Sequence, residues 1–273
     1  MQTAEQKTEI LQIFNRYEKK YLLDTAVFQR VLGRLESRLV ADRFGDADAR
    51  YTVNNLYLDT DDDWFIRNSL RKPRYKEKLR LRCYGDPGSF SPIYFEIKKK
   101  CDELGNKRRV AVTMEEAEAF IRSRQIPGYL TAREGLAADS PYQPNDRQIY
   151  AEIARILDIR PAYPKVMICY DRAAYYDPAS ELRITFDSNL RARRTRLDFE
   201  SGSRGTLFLP PDRGIMEIKV AHAMPVWLTR ILSELDLRIT PYSKIGSEYR
   251  RALHAQPGYG EFIPDKAVAI AAG

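Results

Sequence analysis

The segment Lys76-Glu77-Lys78-Leu79-Arg80-Leu81-Arg82 decides the fold class of this chain. In a β-strand, successive side chains point to opposite faces of the sheet. The four basic side chains therefore form a row on one face, while Leu79 and Leu81 lie on the other face, where a core can cover them. Like charges in a row repel one another and lower stability. The row therefore indicates that a polyanion lies along it.

The same alternation of a charged row with an apolar or mixed row recurs along the chain. It is found near residues 16–21, 95–100, 107–112, 170–172, 182–187 and 216–220. The polar row of an ordinary half-buried sheet faces water and mixes both charge signs with neutral polar residues. Here the rows are mostly Lys and Arg with single acids, which favours a closed antiparallel barrel with a basic interior. We predict an α+β protein, an eight-stranded antiparallel β-barrel or tunnel surrounded by helices.

Length and charge are consistent with a single large domain. The chain has 273 residues, and we predict one domain over residues 1–255 and a Pro-, Gly- and Ala-rich tail over 256–273. The segment 125–146 is predicted to be a loop, because the strand pattern resumes after it. The chain carries 45 Lys and Arg against 38 Asp and Glu, a net charge of +7, and its acidic stretches lie away from the basic rows. This distribution indicates an enclosed anion site rather than a nucleic-acid surface.

Several classes of protein are excluded by what the sequence lacks. The three cysteines are widely spaced and no Cys/His cluster is present, which argues against structural zinc and fits a reducing cytoplasm. The two histidines, His222 and His254, are expected to be surface or packing residues. No signal-peptide pattern and no run of 18 apolar residues is present, so we expect a cytoplasmic chain without membrane insertion.

Basic rows on several strands suit a linear polyphosphate, which is slender and highly charged. Arg offers a planar fork to phosphate oxygens and Lys a compact charge. Phosphoryl transfer needs positioning and neutralised charge, and a hard metal ion held by carboxylates usually assists. The candidate carboxylates on the basic rows are Glu18, Glu96, Asp187 and Glu217. Glu217 is the favoured metal ligand, with a structural ion pair to a neighbouring base as the alternative.

Nine short motifs follow one another along the chain. They are Arg16-Tyr17-Glu18-Lys19-Lys20-Tyr21-Leu22, Leu56-Tyr57-Leu58-Asp59-Thr60, Lys78-Leu79-Arg80-Leu81-Arg82, Phe95-Glu96-Ile97-Lys98, Lys107-Arg108-Arg109, Tyr170-Asp171-Arg172, Arg183-Ile184-Thr185-Phe186-Asp187, Met216-Glu217-Ile218-Lys219 and Tyr242-Ser243-Lys244. Read in order, they resemble the VTC domain (vacuolar transporter chaperone type) of the triphosphate tunnel metalloenzyme (CYTH-like) superfamily, and the resemblance covers about residues 14–253. It implies a tunnel of eight antiparallel strands and a polyphosphate polymerase that moves the γ-phosphate of ATP onto a growing chain with Mn²⁺ or Mg²⁺.

The resemblance also implies which residues act on the substrate, with Glu217 holding the metal. The hairpin register leaves Arg108 and Arg109 as alternatives to Lys107. The expected catalytic residues, all basic, are Lys20, Arg80, Arg82, Lys98, Arg172, Arg183 and Lys219. Further phosphate contacts are expected, in part from a helix N-terminus, from Lys78, Lys107, Arg109, Tyr170, Ser243 and Lys244.

The sequence departs from the hydrolytic relatives in its first strand. Arg16 stands where those relatives carry the first Glu of an ExExK pattern. The loss of this acid favours a polymerase over the second hypothesis, a tunnel triphosphatase that hydrolyses tripolyphosphate or a nucleoside triphosphate. The chain also lacks the SPX domain and membrane segments of the eukaryotic complexes, so a membrane partner that takes up the product is left open.

Two hypotheses outside catalysis also arise from the sequence. One is a module that binds polyphosphate or an inositol phosphate without turnover, which a retained Glu217 disfavours. The other is nucleic-acid binding through the arginines of segment 191–196, which is more simply a solvated patch at a tunnel mouth. We expect ATP and polyphosphate as ligands, no nucleic acid, and a monomer or weak oligomer. The tyrosines of the strands, Tyr17, Tyr21, Tyr51, Tyr57 and Tyr94, are expected to pack between barrel and helices, with base stacking at a mouth as a second interpretation for one of them.

Overall fold

The computed structural model describes residues 17–35, 37–42, 50–85, 92–102, 104–123 and 144–255. The predictions for Arg16, for most of the loop 125–146 and for the tail 256–273 therefore lie outside the described residues. The six described helices are α1 (Thr25–Leu35), α2 (Trp64–Leu70), α3 (Met114–Ser123), α4 (Pro144–Ile159), α5 (Val226–Glu234) and α6 (Lys244–His254). The strands are β1 (Tyr17–Asp24), β2 (Val40–Ala41), β3 (Arg50–Asp59), β4 (Tyr75–Tyr84), β5 (Ile93–Cys101), β6 (Leu104–Val112), β7 (Tyr163–Tyr176), β8 (Arg183–Arg193), β9 (Thr206–Leu207) and β10 (Arg213–Val220).

All ten strands belong to one antiparallel sheet, which confirms the α+β class. Eight of them follow the order β1-β10-β8-β7-β3-β4-β5-β6, while β2 pairs with β7 and β9 with β8. Predicted closure into a barrel is not confirmed, because the described residues provide no hydrogen-bonded ladder between β1 and β6 at the ends of this path. The sheet nevertheless curls so far that Lys98 Nζ on β5 lies 3.7 Å from Glu18 Oε2 on β1.

Helices cover the outer face of the sheet in two places. The leucines of the deciding segment, Leu79 and Leu81, pack with Phe120 of α3 and residues of α4. On the other side, strands β1, β8 and β10 pack against α1 and α5, for example through Ile184 and Leu228. Burial of these apolar faces supplies the main driving force for folding. It also fixes which face of each strand is turned inward, because one-residue slips would expose the whole apolar row.

A third apolar cluster lies on the inner face, where α6 enters the curl of the sheet. Ile245 and Tyr249 of α6 pack there against residues of β3 and β7, including Ile168. Ser243 caps this helix, and its hydroxyl accepts a hydrogen bond from the Gly246 amide at 3.2 Å. The helix therefore fills part of the interior and leaves its N-terminus facing the remaining space.

The sequence also predicts an N-cap at Asp24, a capping box of Thr113 and Glu116, and a helix over about 25–41. Both caps are confirmed: Asp24 accepts a hydrogen bond from the Val27 amide at 2.8 Å at the start of α1. Thr113 and Glu116 form reciprocal bonds of 2.8 and 3.1 Å. The first helix is shorter than predicted and ends at Leu35, because the chain then forms β2, which pairs with β7.

Candidate functional site

A cavity of about 280 Å³ lies between the inner face of the sheet and the N-terminus of α6; we call it the central cavity. Seven of the eight strands on the main path contribute side chains, and most of these side chains are basic. The lining residues are Glu18, Lys20, Tyr57, Lys76, Lys78, Arg80, Arg82, Lys98, Lys100, Lys107, Tyr170, Arg172, Glu217, Lys219, Tyr242, Ser243, Lys244 and Ile245.

Strand periodicity and register explain why bases accumulate on this surface. The row of β4 supplies a basic side chain at every second residue, and its outward leucines hold that face inward. Cross-strand pairing sets Lys78 opposite Lys98, and Lys98 opposite Lys107. Three ammonium groups on adjacent strands repel one another, an unfavourable electrostatic interaction that a polyanion would relieve.

Glu96 is the acid at the centre of the basic wall, and its side chain is 1% exposed. Its Oε2 lies 2.6 Å from Arg80 Nη2, and its Oε1 lies 2.6 Å from Lys107 Nζ. Arg82 Nε is 3.7 Å away. Burial alone would raise the pKa of Glu96, but the charges of Arg80, Arg82 and Lys107 outweigh it and hold the pKa well below its usual range. Glu96, on β5, is therefore ionised and holds the bases of the two neighbouring strands, β4 and β6, in place.

Asp187 has the same role on the opposite wall. Arg172 donates to it with both Nε and Nη2, at 2.7 and 2.9 Å, and Lys244 Nζ lies 2.6 Å from Oδ2. Burial opposes ionisation, but Arg172 and Lys244 lower the pKa of this carboxyl. The Lys244 ammonium also lies 4.7 Å from the ring centroid of Tyr170. These contacts join the first residue of α6 to the sheet.

Two acids and two lysines alternate diagonally on β1 and β10. Glu18 pairs with Lys219 across the strands, and Lys20 pairs with Glu217. Lys20 Nζ lies 2.7 Å from Glu18 Oε1, and Lys219 Nζ lies 2.7 Å from Glu217 Oε1. Burial would raise the pKa of Glu18, but Lys98 and the two lysines of this group lower it to about 2. Both carboxylates are thus ionised, and we call these four residues the charge tetrad.

The charge tetrad fits a hard divalent ion that shares its coordination with a ligand. Within the described residues, no group of three or more Asp, Glu, His or Cys could hold a metal by itself. Mg²⁺ is commonly held by one or two carboxylates together with substrate phosphates and water. Glu18 and Glu217 provide such a pair on adjacent strands. The donor set is therefore suited to an ion that arrives with phosphate, not to a protein-only metal site.

Two lysines of the cavity have an unusually low affinity for protons. Burial is the main cause, and it lowers the pKa of Lys78 to about 8 and that of Lys107 to about 7. Lys78 Nζ donates to Ser243 Oγ at 3.4 Å. Bound phosphate would favour the protonated form of both lysines, since it adds negative charge beside them.

The structure brings most of the predicted site residues together. Arg183 and Arg109 do not line the central cavity: Arg183 pairs with Asp42, and Arg109 lies over the Tyr94 ring. Of the hairpin alternatives, Lys107 faces the cavity and Arg108 pairs with Glu152 on the outer face. The predicted residues that line the cavity are Lys20, Lys78, Arg80, Arg82, Lys98, Lys107, Tyr170, Arg172, Glu217, Lys219, Ser243 and Lys244.

Other cavity residues were not among the predicted catalytic, phosphate-binding or metal-binding residues, although Glu18 was a candidate carboxylate. Tyr57 packs in the apolar cluster between sheet and helices, as expected, but its hydroxyl also faces the cavity and accepts from Arg80 Nη1 at 3.0 Å. Its strand is buried on both faces and carries no alternation that would have revealed this. The motif that carries Glu18 and the row that carries Lys76 did contain a signal. The further lining residues are Glu18, Tyr57, Lys76, Lys100, Tyr242 and Ile245.

The arginine segment 191–196 has structural partners within the fold. Arg193 donates to the backbone carbonyls of Arg196, Asp198 and two further residues. Arg194 forms a two-pronged pair with Glu248 of α6, at 3.0 and 2.7 Å. Arg194 is nevertheless exposed, which agrees with the interpretation of the segment as a solvated patch, while these partners weaken its interpretation as a nucleic-acid surface.

Comparisons with solved structures give distant similarities. One is to a Bacillus halodurans protein provisionally named an adenylate cyclase, with 15% identity, a TM-score of 0.49, and coverage of 85% of this chain and 96% of that one. A second is to a Pyrococcus horikoshii protein, with 13% identity, a TM-score of 0.44, and coverage of 86% and 99%. No curated protein was found to match the chain.

Family comparison gives a much firmer result. The sequence model of the VTC domain matches residues 15–252, which includes every residue of the central cavity. None of the described helices is both long enough and apolar enough to cross a lipid bilayer. The match covers most of the chain and agrees with the motifs identified from the sequence alone. This chain therefore belongs to the VTC domain family.

Proposed function

We propose that this protein is a metal-dependent polyphosphate polymerase. It transfers the γ-phosphate of ATP onto the end of a growing polyphosphate chain inside the central cavity. Membership of the VTC family supports a role in phosphoryl transfer or polyphosphate chemistry. The proposal includes a cytoplasmic location, a monomeric or weakly oligomeric state, and closure of the curled sheet into a tunnel around the substrate.

The observation that carries the proposal is the distribution of bases around the central cavity. Lys20 and Lys219 approach from one side, Arg172 and Lys244 from another, and the rows of β4, β5 and β6 from a third. A flat basic surface would suit a duplex or a membrane. Bases on all sides suit a slender anion that is stripped of much of its water and held along its length.

The reaction would need little covalent chemistry from the protein. A terminal oxygen of the acceptor chain forms a bond to the γ-phosphorus while the bond to the β–γ bridging oxygen breaks, and ADP leaves. Arg80, Arg82 and Arg172 would align the phosphates of ATP, and Arg80 and Arg172 would neutralise the charge on the transferred group. Glu18 and Glu217 would hold Mn²⁺ or Mg²⁺, which when bound would neutralise phosphate charge. Lys20 and Lys219 would then exchange carboxylate contacts for phosphate contacts.

The paired state of the acids favours a polymerase over the triphosphatase. Water needs a general base to become a nucleophile, whereas a terminal phosphate is already an anion. Each acid facing the interior, namely Glu18, Glu96, Asp187 and Glu217, has a basic side chain within 4.0 Å and a lowered pKa. A carboxylate with a strongly lowered pKa is a weak base, so none of the four is suited to activate water near neutral pH.

The proposal is tested by incubating the purified chain with ATP and Mn²⁺, then assaying polyphosphate, ADP and free phosphate. We expect a ladder of polyphosphate with an equivalent amount of ADP. Lys20→Gln should abolish the ladder, while Lys19→Gln, which alters the adjacent outward-facing residue of β1, should keep it. Free phosphate without polymer would replace the proposal with the triphosphatase.

The binding module without turnover is distinguished by Glu217→Gln. In the polymerase this variant should lose turnover and retain most of its affinity for tripolyphosphate, because the lost carboxylate repels phosphate in the absence of metal. Absence of both products from the unaltered chain, together with metal-independent binding of polyphosphate, would refute the polymerase and leave the binding module.

A further inference from the structure

Three tyrosines form a continuous aromatic cluster on the inner face, at one end of the sheet. Tyr51 lies at the start of β3, Tyr84 at the end of β4 and Tyr94 at the start of β5. The ring centroids of Tyr51 and Tyr84 are 6.0 Å apart, and those of Tyr84 and Tyr94 are 6.1 Å apart, both in edge-to-face geometry. All three side chains are half-buried, so part of each ring remains accessible to a ligand.

Two arginines add flat cationic surfaces to the cluster and connect it to the central cavity. The Arg109 guanidinium lies 4.4 Å from the centroid of the Tyr94 ring, and Arg109 is exposed. Arg82 lies 5.7 Å from the centroid of the Tyr84 ring, and its Nη1 donates to the Tyr84 hydroxyl at 3.3 Å. Arg82 also lines the central cavity. A ligand could therefore contact the aromatic cluster and the phosphate-binding bases at the same time.

The two ends of the inner face differ in their chemistry. Lys76 near the start of β4 and Lys100 near the end of β5 are cross-strand partners at the opposite end from Tyr84 and Tyr94. Lysines suit a bare inorganic anion, which has no ring. Tyrosine rings and guanidinium planes instead favour a flat heterocycle that stacks on them. A nucleoside triphosphate has such a heterocycle at one end only.

We propose that Tyr51, Tyr84 and Tyr94, together with Arg109, form the subsite that holds the base of the nucleoside triphosphate. Arg82 contacts the phosphates nearest the nucleoside. This inference rests on the proposed function and adds a direction to it. The nucleotide occupies the tyrosine end, its γ-phosphate points toward the charge tetrad, and the polymer extends toward Lys76 and Lys100.

The subsite is tested by comparing the affinities for two triphosphate ligands, one with a nucleoside and one without. Isothermal titration calorimetry would compare adenosine 5′-(β,γ-imido)triphosphate with inorganic tripolyphosphate. Tyr84→Leu should weaken binding of the nucleotide about fivefold or more, in the range of base–aromatic stacking, and change tripolyphosphate binding less than twofold. Tyr84→Phe is the matched control. It keeps the ring and removes only the hydroxyl that contacts Arg82, so it should retain nucleotide affinity.

Equal weakening of both ligands by Tyr84→Leu, or no change in either, would overturn the subsite. If this variant does not fold, Arg109→Ala alters an exposed residue of the same cluster and is judged by the same selective loss. The binding assay does not depend on turnover. If Tyr84→Leu selectively lowers nucleotide affinity but the unaltered chain makes no polyphosphate, the subsite stands and the polymerase is refuted. If the unaltered chain makes polyphosphate but Tyr84→Leu does not selectively lower nucleotide affinity, the polymerase stands and the subsite is refuted.

Discussion

Replacement of Glu96 by Gln should remove the buried carboxylate that offsets the repulsion among Arg80, Arg82 and Lys107 in the basic wall of the central cavity. Glu96 is almost fully buried and has oxygens 2.6 Å from both Arg80 and Lys107. Removal of one partner from a buried ion pair leaves the other charge uncompensated, which typically costs about 3–5 kcal/mol. Lys107 can release its proton, so we expect a loss near 3 kcal/mol in the free energy of unfolding, or about 6–12 °C in Tm.

A bound polyanion should reverse much of this loss. In the unaltered protein, a ligand at about 100 times its Kd adds about 2.7 kcal/mol to the free energy of unfolding. The variant should gain more at the same concentration of tripolyphosphate, because the phosphates supply the charge that Glu96 supplied. The assay is thermal and urea unfolding at pH 6.5, with and without tripolyphosphate. The difference in Tm between the two proteins should narrow as ligand is added.

Glu152 provides a matched control for this experiment. Like Glu96, it contacts one Lys and one Arg, here Lys99 of β5 and Arg108 of β6, but on the outer face, where its side chain is 19% exposed. Glu152→Gln should cost about 0–1 kcal/mol and show no additional gain with tripolyphosphate. The reasoning would be refuted if Glu96→Gln melted within about 2 °C of the unaltered protein. If the difference in Tm between Glu96→Gln and the unaltered protein persists at saturating tripolyphosphate, only the argument that phosphate replaces the charge of Glu96 would be refuted.

Three further predictions concern protons, the cap of α6 and the lysine end. The lowered pKa values of Lys78 and Lys107, about 8 and 7, mean that tripolyphosphate binding takes up protons, so the affinity for tripolyphosphate should fall above pH 8. Calorimetry at pH 8 in two buffers measures this proton uptake. Without ligand, the folded chain binds fewer protons than the unfolded chain, so its free energy of unfolding should rise from about pH 7 to 10. Ser243→Ala should lower the free energy of unfolding by about 1 kcal/mol in urea titrations, because it removes the cap. Lys76→Ala combined with Lys100→Ala should shorten the polymer on gels while ADP release per unit time stays within about twofold, if the chain extends past these lysines.

Local periodicity predicted the inner face of β4 but could not identify partners on other strands. The spacing of Lys78, Arg80 and Arg82 is sufficient to place them together, since alternate residues share a face. The choice between Lys107 and Arg108 required the register of the β5–β6 hairpin. The sequence predicts a hairpin turn over residues 102–106, whereas Cys101 pairs with Leu104. A change of one residue in register exchanges the inner and outer faces of β6, so turn length decides which base faces the central cavity.

Alternation of polar and apolar residues cannot identify the inner face of a strand that is buried on both faces. The buried stretch of β3 has little alternation between polar and apolar residues, so the inward direction of Tyr57 cannot be read from its neighbours. Closure of the sheet was also beyond the sequence, because it depends on the stagger summed over eight strands rather than on any single strand. The ion pair between Glu18 and Lys98 shows how closely the ends of the sheet approach, and no local pattern contains that distance.

The excess of positive charge in the composition is accounted for by the residues around the central cavity. Eleven basic side chains line the central cavity, against the two acids that line it and the two, Glu96 and Asp187, that pair with its arginines. That excess equals the net charge of +7 calculated for the whole chain. The remaining residues are therefore balanced in formal charge, so the high isoelectric point does not imply a basic outer surface. Because these charges are enclosed and screened less than exposed ones, affinity for tripolyphosphate should depend on salt mainly through competing anions that enter the cavity.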